Sequence, residues 1–198
     1  MNIYDKDRLS KPFLYNLLVI DNFYENPYEV REFALKQDFL IPKRVIPGLR
    51  TNDMSNIFNI KEKIQHIIQP YKIINFETTF QCFFQKSQLT FHIDSNDSKR
   101  LSGIIFLNPD IELKYGTGLY KFKDGTIDYF DEIKTQFCEH THSLHTLDKT
   151  LWTEMTRIGN VFNRLVIFNG IYYHKPLDAF GNDIYDGRLT QQFTIDIE

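Results

Sequence analysis

The chain has few of the features that mark secreted, membrane-spanning or nucleic-acid-binding proteins. It contains only two cysteines, Cys82 and Cys138, so a disulfide framework is not indicated and a reducing cytoplasm is the expected compartment. Its longest apolar runs, such as residues 103–107, are short, whereas a membrane-spanning helix needs about 20 apolar residues. The net charge of −3 shows no basic excess, which argues against a specific nucleic-acid partner.

What the sequence does contain is ordinary for one globular domain rich in β-structure. The 198 residues are enough to bury a sizeable core, and the hydrophobic content of 42% suits such a core. The 18 Phe and 11 Tyr favour a β-rich interior. Residues 1–10 are polar and charged, without the apolar segment of a secretion signal. We therefore expect a single domain over residues 1–198, located in the cytoplasm.

The helical signals of the chain lie in a lead-in segment, residues 1–70. A predicted strand over residues 14–20 is followed by the pair Asn-Pro, an N-cap with proline at the first helical position. The spacing of apolar residues then predicts a helix over 26–38. A second amphipathic helix is predicted over 56–68, and Pro70 stops it.

From residue 71 onward the pattern changes to that of strands. Aromatic or β-branched segments bounded by turn residues predict strands over 72–85, 101–107, 119–123, 161–168 and 188–197. Residues 128–157 fit this pattern least, and we interpret them as an insert with a short helix around 148–156. Two helices followed by six to eight strands predict an α+β, mainly β, domain whose core over 71–198 is a small barrel or jelly roll.

The sharpest local motif is the His-x-Asp of His92 and Asp94. Residues two apart in a strand project to the same face, so both side chains reach one point. Further along the chain, His174 follows a strong strand across a glycine turn. Arg188 and Thr190 come fourteen residues later, open the last strand and share a face by the same period of two.

In this order of elements, the sequence resembles the 2-oxoglutarate/iron(II) oxygenase superfamily, in particular its small prolyl-hydroxylase-like members from bacteria and phages. Residues 19–31, 47–51, 105–109 and 116–120 also match the expected order, so the resemblance covers nearly the whole chain. It implies a double-stranded β-helix (jelly-roll, cupin-like) core with two N-terminal helices packed on it. It further implies a dioxygenase that uses Fe(II), 2-oxoglutarate and O2, is stimulated by ascorbate, and releases succinate and CO2. The implied substrate is an unactivated C–H bond of a peptide, protein or amino acid.

The resemblance also implies roles for the motif residues, and their chemistry agrees with those roles. His92, Asp94 and His174 would hold the metal, because two imidazoles and one carboxylate form the facial triad of non-haem iron oxygenases. Arg188 would bind the distal carboxylate of 2-oxoglutarate, since its planar fork binds a carboxylate bidentately and keeps its proton. Thr190 would add a hydrogen bond to that carboxylate. Halogenating members of the superfamily replace the carboxylate with a small residue, so Asp94 favours hydroxylation or desaturation.

Each of these residues also has a purely structural interpretation. His92 and Asp94 fit a hydrogen-bonded pair, and His174 fits a loop histidine. Arg188 fits a surface cation paired with an aspartate, a contact worth little. Two other functions stay open: a cupin-like jelly-roll binding protein, and a non-oxidative metal-dependent isomerase or hydrolase. Neither needs the Arg-x-Thr motif, whose position after the second histidine argues against both.

Further candidates rest on position alone. Tyr120 and Gln81, on strands that flank the expected pocket, are candidates for contact with 2-oxoglutarate. The expected mouth of the pocket supplies five substrate candidates: Arg50, Asn96, Asp97, Arg100 and Lys175. Four potential zinc or copper ligands cluster within eight residues: Cys138, His140, His142 and His145. Because such a run does not form two separated ligand pairs, a mobile loop or lid is the favoured interpretation.

Overall fold

A computed structural model describes residues 17–42, 48–123 and 147–198 of the chain. These ranges contain two α-helices, α1 (Pro27–Leu35) and α2 (Ile60–Ile67). They also contain nine strands: β1 (Leu17–Ile20), β2 (Leu49–Arg50), β3 (Ile73–Phe83), β4 (Arg100–Phe106), β5 (Thr117–Phe122), β6 (Trp152–Ile158), β7 (Leu165–Asn169), β8 (Tyr173–Pro176) and β9 (Arg188–Ile197). Neither helix is long enough to span a membrane.

The strands form two antiparallel sheets. The major sheet has the order β1-β7-β4-β9-β3-β2, and the minor sheet has the order β6-β5-β8. The long strand β9 is central, because it pairs with β3 along one edge and with β4 along the other. Strands adjacent in the sheet are mostly distant in sequence, which is the pattern of a jelly-roll-like fold. The prediction of a mainly β domain with two N-terminal helices is therefore confirmed.

The two helices cover one face of the major sheet. Alternate residues of β9 point to this face and pack against the buried side chains of both helices. The members of this core that lie on β9 and on the helices are Leu189, Phe193, Ile195, Ile197, Val30, Ala34, Ile60 and Ile64. Each large aliphatic or aromatic side chain buried here contributes about 1.5–3 kcal/mol. This packing fixes the major sheet as a rigid base.

The opposite face of the major sheet, here called the inner face, carries two kinds of side chain. At one end, Ile104 and Phe106 of β4 and Val166 and Phe168 of β7 form a second buried cluster with Leu119 of the minor sheet. The alternate residues of β9 and β3 that share this face are mostly polar. One end of the inner face is thus apolar and covered by the minor sheet, and the region next to this end is polar.

The two predicted helices are present, although their ends differ from the prediction. The first ends at Leu35 rather than near residue 38, and the second begins at Ile60 rather than near residue 56. Phe58 and Asn59 have φ angles of 51° and 50°. These left-handed conformations cannot continue a right-handed helix, so α2 starts only after them.

The predicted short helix at 148–156 is wrong. A single 3-10 turn at Lys149–Leu151 leads directly into β6, which pairs with β5. Asp148 does accept hydrogen bonds from the backbone amide and the hydroxyl of Thr150, but it caps only this turn and not a longer helix. The remaining part of the predicted insert, including Cys138, His140, His142 and His145, lies outside the described residues.

Candidate metal centre

Three side chains from two separate segments meet beside the inner face. His174 lies on β8, and the backbone of His92 pairs with it through two hydrogen bonds of 3.1 and 2.9 Å. The amide of Asp94 donates to the carbonyl of Gly170 at 2.9 Å. The segment around His92 therefore forms an isolated bridge with β8, and its backbone bonds hold all three side chains in place. The His174 ring packs on Phe168, with ring centroids 4.7 Å apart.

The three side chains have the spacing of metal ligands. Nε2 of His92 lies 3.8 Å from Oδ1 of Asp94, and Nε2 of His174 lies 3.4 Å from Oδ2 of the same carboxylate. All three ligand atoms lie within 4.8 Å of one another. That separation suits a divalent first-row metal ion, whose bonds to such atoms are about 2.0–2.2 Å long.

Both histidines are held in the tautomer that a metal requires. Nδ1 of His92 donates to the carbonyl of Thr90 at 3.0 Å, and Nδ1 of His174 donates to the carbonyl of Tyr172 at 2.9 Å. Because a carbonyl only accepts, each Nδ1 carries the hydrogen and each Nε2 keeps its lone pair. Such hydrogen bonds also fix the orientation of the ring around a bound metal.

The protonation states of His92 and Asp94 at neutral pH also suit metal binding. Desolvation, together with the nearby His174, lowers the pKa of His92 to about 4. Burial opposes the ionisation of Asp94, but His174 and His92 outweigh it and hold the pKa of that carboxyl below its ordinary value. His92 therefore offers its lone pair and Asp94 its negative charge without first releasing a proton.

Arg188 is held in a cradle of backbone and hydroxyl oxygens on the inner face. Its Nε donates to the carbonyl of Tyr115 at 2.8 Å. Its Nη2 donates to the carbonyl of Gly116 at 3.1 Å and to Oγ1 of Thr117 at 3.2 Å. The side chain is completely buried, and its Nη1 has no hydrogen-bond partner in the part of the chain that the structure describes. One edge of the guanidinium is thus fixed while a donor stays available.

The charge of Arg188 has no counter-charge among the described residues. Its guanidinium carbon lies 5.5 Å from the ring centroid of Phe106 and 5.7 Å from that of Phe83. Burial lowers its pKa to about 10, so it stays protonated at neutral pH. A buried, unpaired cation costs several kcal/mol, and a buried donor without an acceptor adds to that cost. Both costs are relieved by an anion that accepts from Nη1, and a carboxylate is well suited to this role.

Two predicted co-substrate residues lie next to each other on the inner face, in directly paired positions of β9 and β3. Thr190 is fully buried, and its hydroxyl donates to the carbonyl of Gln81 at a long 3.5 Å. The Gln81 amide, oriented by its neighbours, accepts from Nε and Nη2 of Arg50, each at 2.9 Å, and donates to Oε1 of Gln192 at 2.7 Å. Because Gln81 holds these two side chains, its placement does not support direct contact with 2-oxoglutarate.

Tyr120 and Lys175 lie on the far face of the minor sheet, away from the metal ligands. His174 on β8 pairs with Leu119 on β5, and both side chains face inward. The residues next to each of them along the two strands therefore point outward. The hydroxyl of Tyr120 donates to Glu154 at 3.2 Å. Nζ of Lys175 lies 4.8 Å from the centroid of the Phe91 ring, and burial lowers the pKa of this lysine to about 8. The predicted co-substrate role of Tyr120 and substrate role of Lys175 are not supported by these positions.

The remaining substrate candidates lie in or beside a surface turn. Asn96 and Asp97 are exposed, and Oδ1 of Asp97 accepts from the amide of Lys99 at 2.9 Å. Arg100 forms a bidentate ion pair with Asp196, with N–O distances of 2.5 and 2.8 Å. These residues line an open pocket at the edge of the major sheet. Arg100 is already neutralised there, whereas Arg50 lies close enough to Asp94 for their charges to interact.

Sequence reasoning missed the cradle of Arg188. The sequence places residues 116–120 only in the family's expected order of elements, and nothing local links Gly116 and Thr117 to a residue about seventy positions later. Gln192 was missed as well, although the alternation that placed Arg188 and Thr190 on one face extends to it.

Gly116 offers a test of the cradle. A Cβ atom at this position would overlap the carbonyl oxygen of Ile158, which is backbone and cannot rotate away. We expect Gly116→Ala to lower the free energy of unfolding by about 2–3 kcal/mol in chemical denaturation. Gly159→Ala is the matched control, since its Cβ would meet only the exposed side chain of Leu113. Equal stability of the two variants would contradict the close packing of the cradle.

The sequence matches the family model described as "Family of unknown function (DUF6445)" over residues 14–195. No curated protein is significantly similar to the chain.

Several solved structures share its fold. HygX from Streptomyces hygroscopicus, solved with nickel and 2-oxoglutarate, is 11% identical with a TM-score of 0.60, and the match covers 91% of this chain and 82% of HygX. A Pseudomonas putida prolyl-4-hydroxylase is 15% identical with a TM-score of 0.52, covering 96% and 95% of the two chains. A Trichoplax adhaerens prolyl hydroxylase, solved with a hypoxia inducible factor peptide, is 12% identical with a TM-score of 0.54, covering 96% and 90%. At these identities the likeness establishes the fold, and it confirms the resemblance drawn from the sequence.

Proposed function

The chain belongs to the DUF6445 family of unknown function, and we propose that it is a non-haem Fe(II)/2-oxoglutarate-dependent oxygenase with a double-stranded β-helix core. The observation that carries this proposal is the presence of two features at the inner face of the major sheet, one beside it and one on it. A His-Asp-His group is ready to bind a metal, and the buried cation of Arg188 has a free donor and no counter-charge. Each feature fits a different part of the same metal and co-substrate complex.

His92, Asp94 and His174 would hold the iron. The Thr90 and Tyr172 carbonyls keep the two imidazoles turned so that their lone pairs converge, which lowers the cost of ordering them at binding. One carboxylate on a divalent ion leaves a net positive charge and open coordination positions, which suits an anionic, chelating co-substrate. When bound, the iron and 2-oxoglutarate supply the oxidising chemistry, which couples decarboxylation of the co-substrate to oxidation of a C–H bond.

Arg188 would bind the distal carboxylate of 2-oxoglutarate through Nη1, with Thr190 as a second donor. The cradle fixes the other edge of the guanidinium, so binding orders few additional side-chain torsions. The rings of Phe83 and Phe106 exclude water around this contact, and a charged hydrogen bond is stronger in such surroundings. The protein thereby positions the co-substrate and keeps its distal end dry.

The proposed reaction is hydroxylation of an unactivated C–H bond on a peptide, protein side chain or amino acid, with release of succinate and CO2. Two solved relatives support a polar substrate: HygX has also been solved with hygromycin B, and the Trichoplax enzyme has been solved with a peptide. The carboxylate ligand Asp94 favours hydroxylation over halogenation.

The direct test is succinate formation by the purified protein supplied with Fe(II), 2-oxoglutarate, ascorbate and air. We expect slow turnover even without the primary substrate, equal amounts of succinate and CO2, and no turnover under nitrogen or with zinc in place of iron. Succinate should rise when the true substrate is added. Turnover that continues without oxygen would favour a non-oxidative isomerase or hydrolase. Failure of the metal-loaded protein to bind 2-oxoglutarate would favour a jelly-roll binding protein.

A further inference from the structure

The polar side chains of the inner face follow a regular cross-strand pattern that core packing alone does not explain. Three cross-strand rows of β3 and β9 carry six polar side chains, here called the polar floor: Glu77, Thr79, Gln81, Thr190, Gln192 and Thr194. The facing surfaces of a two-sheet domain are normally apolar, because they form its core. Here the side chains range from fully buried at one end, at Gln81 and Thr190, to exposed at Glu77. A graded polar surface of this kind is what a hydrogen-bonding ligand needs.

Arg50 stands at the buried end of the polar floor. It lies on β2 directly opposite Gln81, and that side chain accepts from two of its nitrogens, Nε and Nη2. Gln81 is in turn held by Gln192, so the guanidinium has a fixed position. Its Nη1 has no acceptor among the described residues. A neutral amide therefore orients Arg50 while its positive charge stays uncompensated.

Two other arginines, one at the start of β4 and one just before β7, differ from Arg50 in this respect. Arg100 is paired bidentately with Asp196, and Arg164 is paired bidentately with Asp21. Of the carboxylates that the structure describes, Asp94, which the metal would use, is the one that interacts with the charge of Arg50. In the loaded site, the divalent ion carries two positive charges and Arg188 one. Asp94 carries one negative charge and 2-oxoglutarate two, so these four groups sum to zero. Arg50 then adds one positive charge with no partner.

We propose that Arg50 anchors an anionic group, a carboxylate or a phosphate, of a primary substrate that lies along the polar floor. This inference rests on the proposed function and adds the class of substrate to it. The anion restores neutrality next to the metal, and Nη1 supplies the donor that it needs. Anchoring at Arg50 also sets which part of the substrate faces the metal, since the anchor and Asp94 lie close together.

The test uses Mn(II)-loaded protein saturated with 2-oxoglutarate and two matched probes, N-acetylglycine and N-acetylglycinamide. Mn(II) speeds the nuclear relaxation of protons that bind near it, so the acetyl methyl signal reports binding beside the metal. We expect the relaxation enhancement to be at least five-fold larger for the carboxylate than for the amide. Competition by acetate and by inorganic phosphate then identifies the favoured anion, because the better match displaces N-acetylglycine at the lower concentration.

Variants assign the preference to Arg50. In Arg50→Gln the two probes should give equal enhancements, whereas Arg50→Lys should retain a preference because it keeps the charge. Arg157→Gln is the control, since Arg157 is exposed and paired with Glu154. Equal enhancements in the wild type, or a preference that survives in Arg50→Gln, would overturn the inference. Binding of Mn(II) and 2-oxoglutarate is measured first, and its absence would overturn the proposed function itself.

Discussion

Replacing His174 with alanine is expected to weaken Fe(II) binding at least about 100-fold and to reduce succinate formation to background. Loss of a partner that merely orients a ligand costs about 10–100-fold in metal affinity, so loss of the ligand itself costs at least the upper value. The remaining His92 and Asp94 sit on one short segment and cannot complete the facial triad. Anaerobic titration of the protein with Fe(II), followed by the succinate assay, measures both effects.

A matched histidine controls for this substitution. His66 lies on the exposed side of α2, so His66→Ala should leave metal affinity and turnover unchanged. Asp94→Asn keeps the shape of the ligand but removes its charge, and it should fail like His174→Ala. Because His174 is buried against Phe168, thermal unfolding of the apo variant must be measured beside the titration. A folded His174→Ala protein that binds iron as tightly as the wild type would rule out this metal site.

The His-Asp-His group could be predicted because its geometry depends on short-range rules. His92 and Asp94 are two residues apart in extended backbone, so their side chains share a face. The strand and glycine turn that precede His174 are enough to mark it as the third member of the group. Arg188 and Thr190 follow from the same alternation. These predictions needed only the order of the elements and a local period.

The errors arose where the conformation depends on distant partners. Residues 152–158 form a strand because they pair with β5, and no local pattern reports that pairing. Tyr120 was assigned to the pocket, but the face on which its side chain lies depends on which residues β5 pairs with, and there Leu119 is opposite the inward-facing His174. Lys175 points away from the candidate metal centre for the same reason, since it follows the inward-facing His174 on β8. The cradle of Arg188 is likewise invisible in the sequence, because it joins β9 to a turn before β5.

The polar interior connects the stability of this protein to its proposed function. Within the described part of the chain, the buried Arg188 has no counter-charge and the half-buried Arg50 has no acceptor for its Nη1, and both arrangements oppose folding in the absence of ligands. The hydrophobic cluster beneath α1 and α2 offsets this cost from the other side of the major sheet. Ligand binding should therefore stabilise the protein more than the buried surface of a small anion alone would suggest.

Replacing Arg188 with methionine is expected to weaken 2-oxoglutarate binding about 100-fold while metal binding is retained. The lost charge-assisted hydrogen bonds are worth about 1.5–3 kcal/mol each, and a 100-fold loss corresponds to about 2.7 kcal/mol. Methionine is flexible enough to fill the space between Phe83 and Phe106. Chemical denaturation of the Zn(II)-loaded protein, with and without 2-oxoglutarate, measures the effect without turnover. At a concentration 1,000 times the wild-type Kd, stabilisation should fall from about 4 kcal/mol to roughly 1.4 kcal/mol.

Two further variants separate binding from a structural role. Arg188→Lys keeps the charge but loses the planar fork, so its affinity should lie between those of the wild type and Arg188→Met. Arg157→Met removes an exposed arginine and should leave the stabilisation by 2-oxoglutarate unchanged. If Arg188 only braced the Gly116 turn, both Arg188 variants would lose stability in the absence of 2-oxoglutarate and keep its full stabilising effect. If Arg188 binds the co-substrate, the ligand-dependent part of the stability is lost, because that part alone requires the free donor and the unpaired charge.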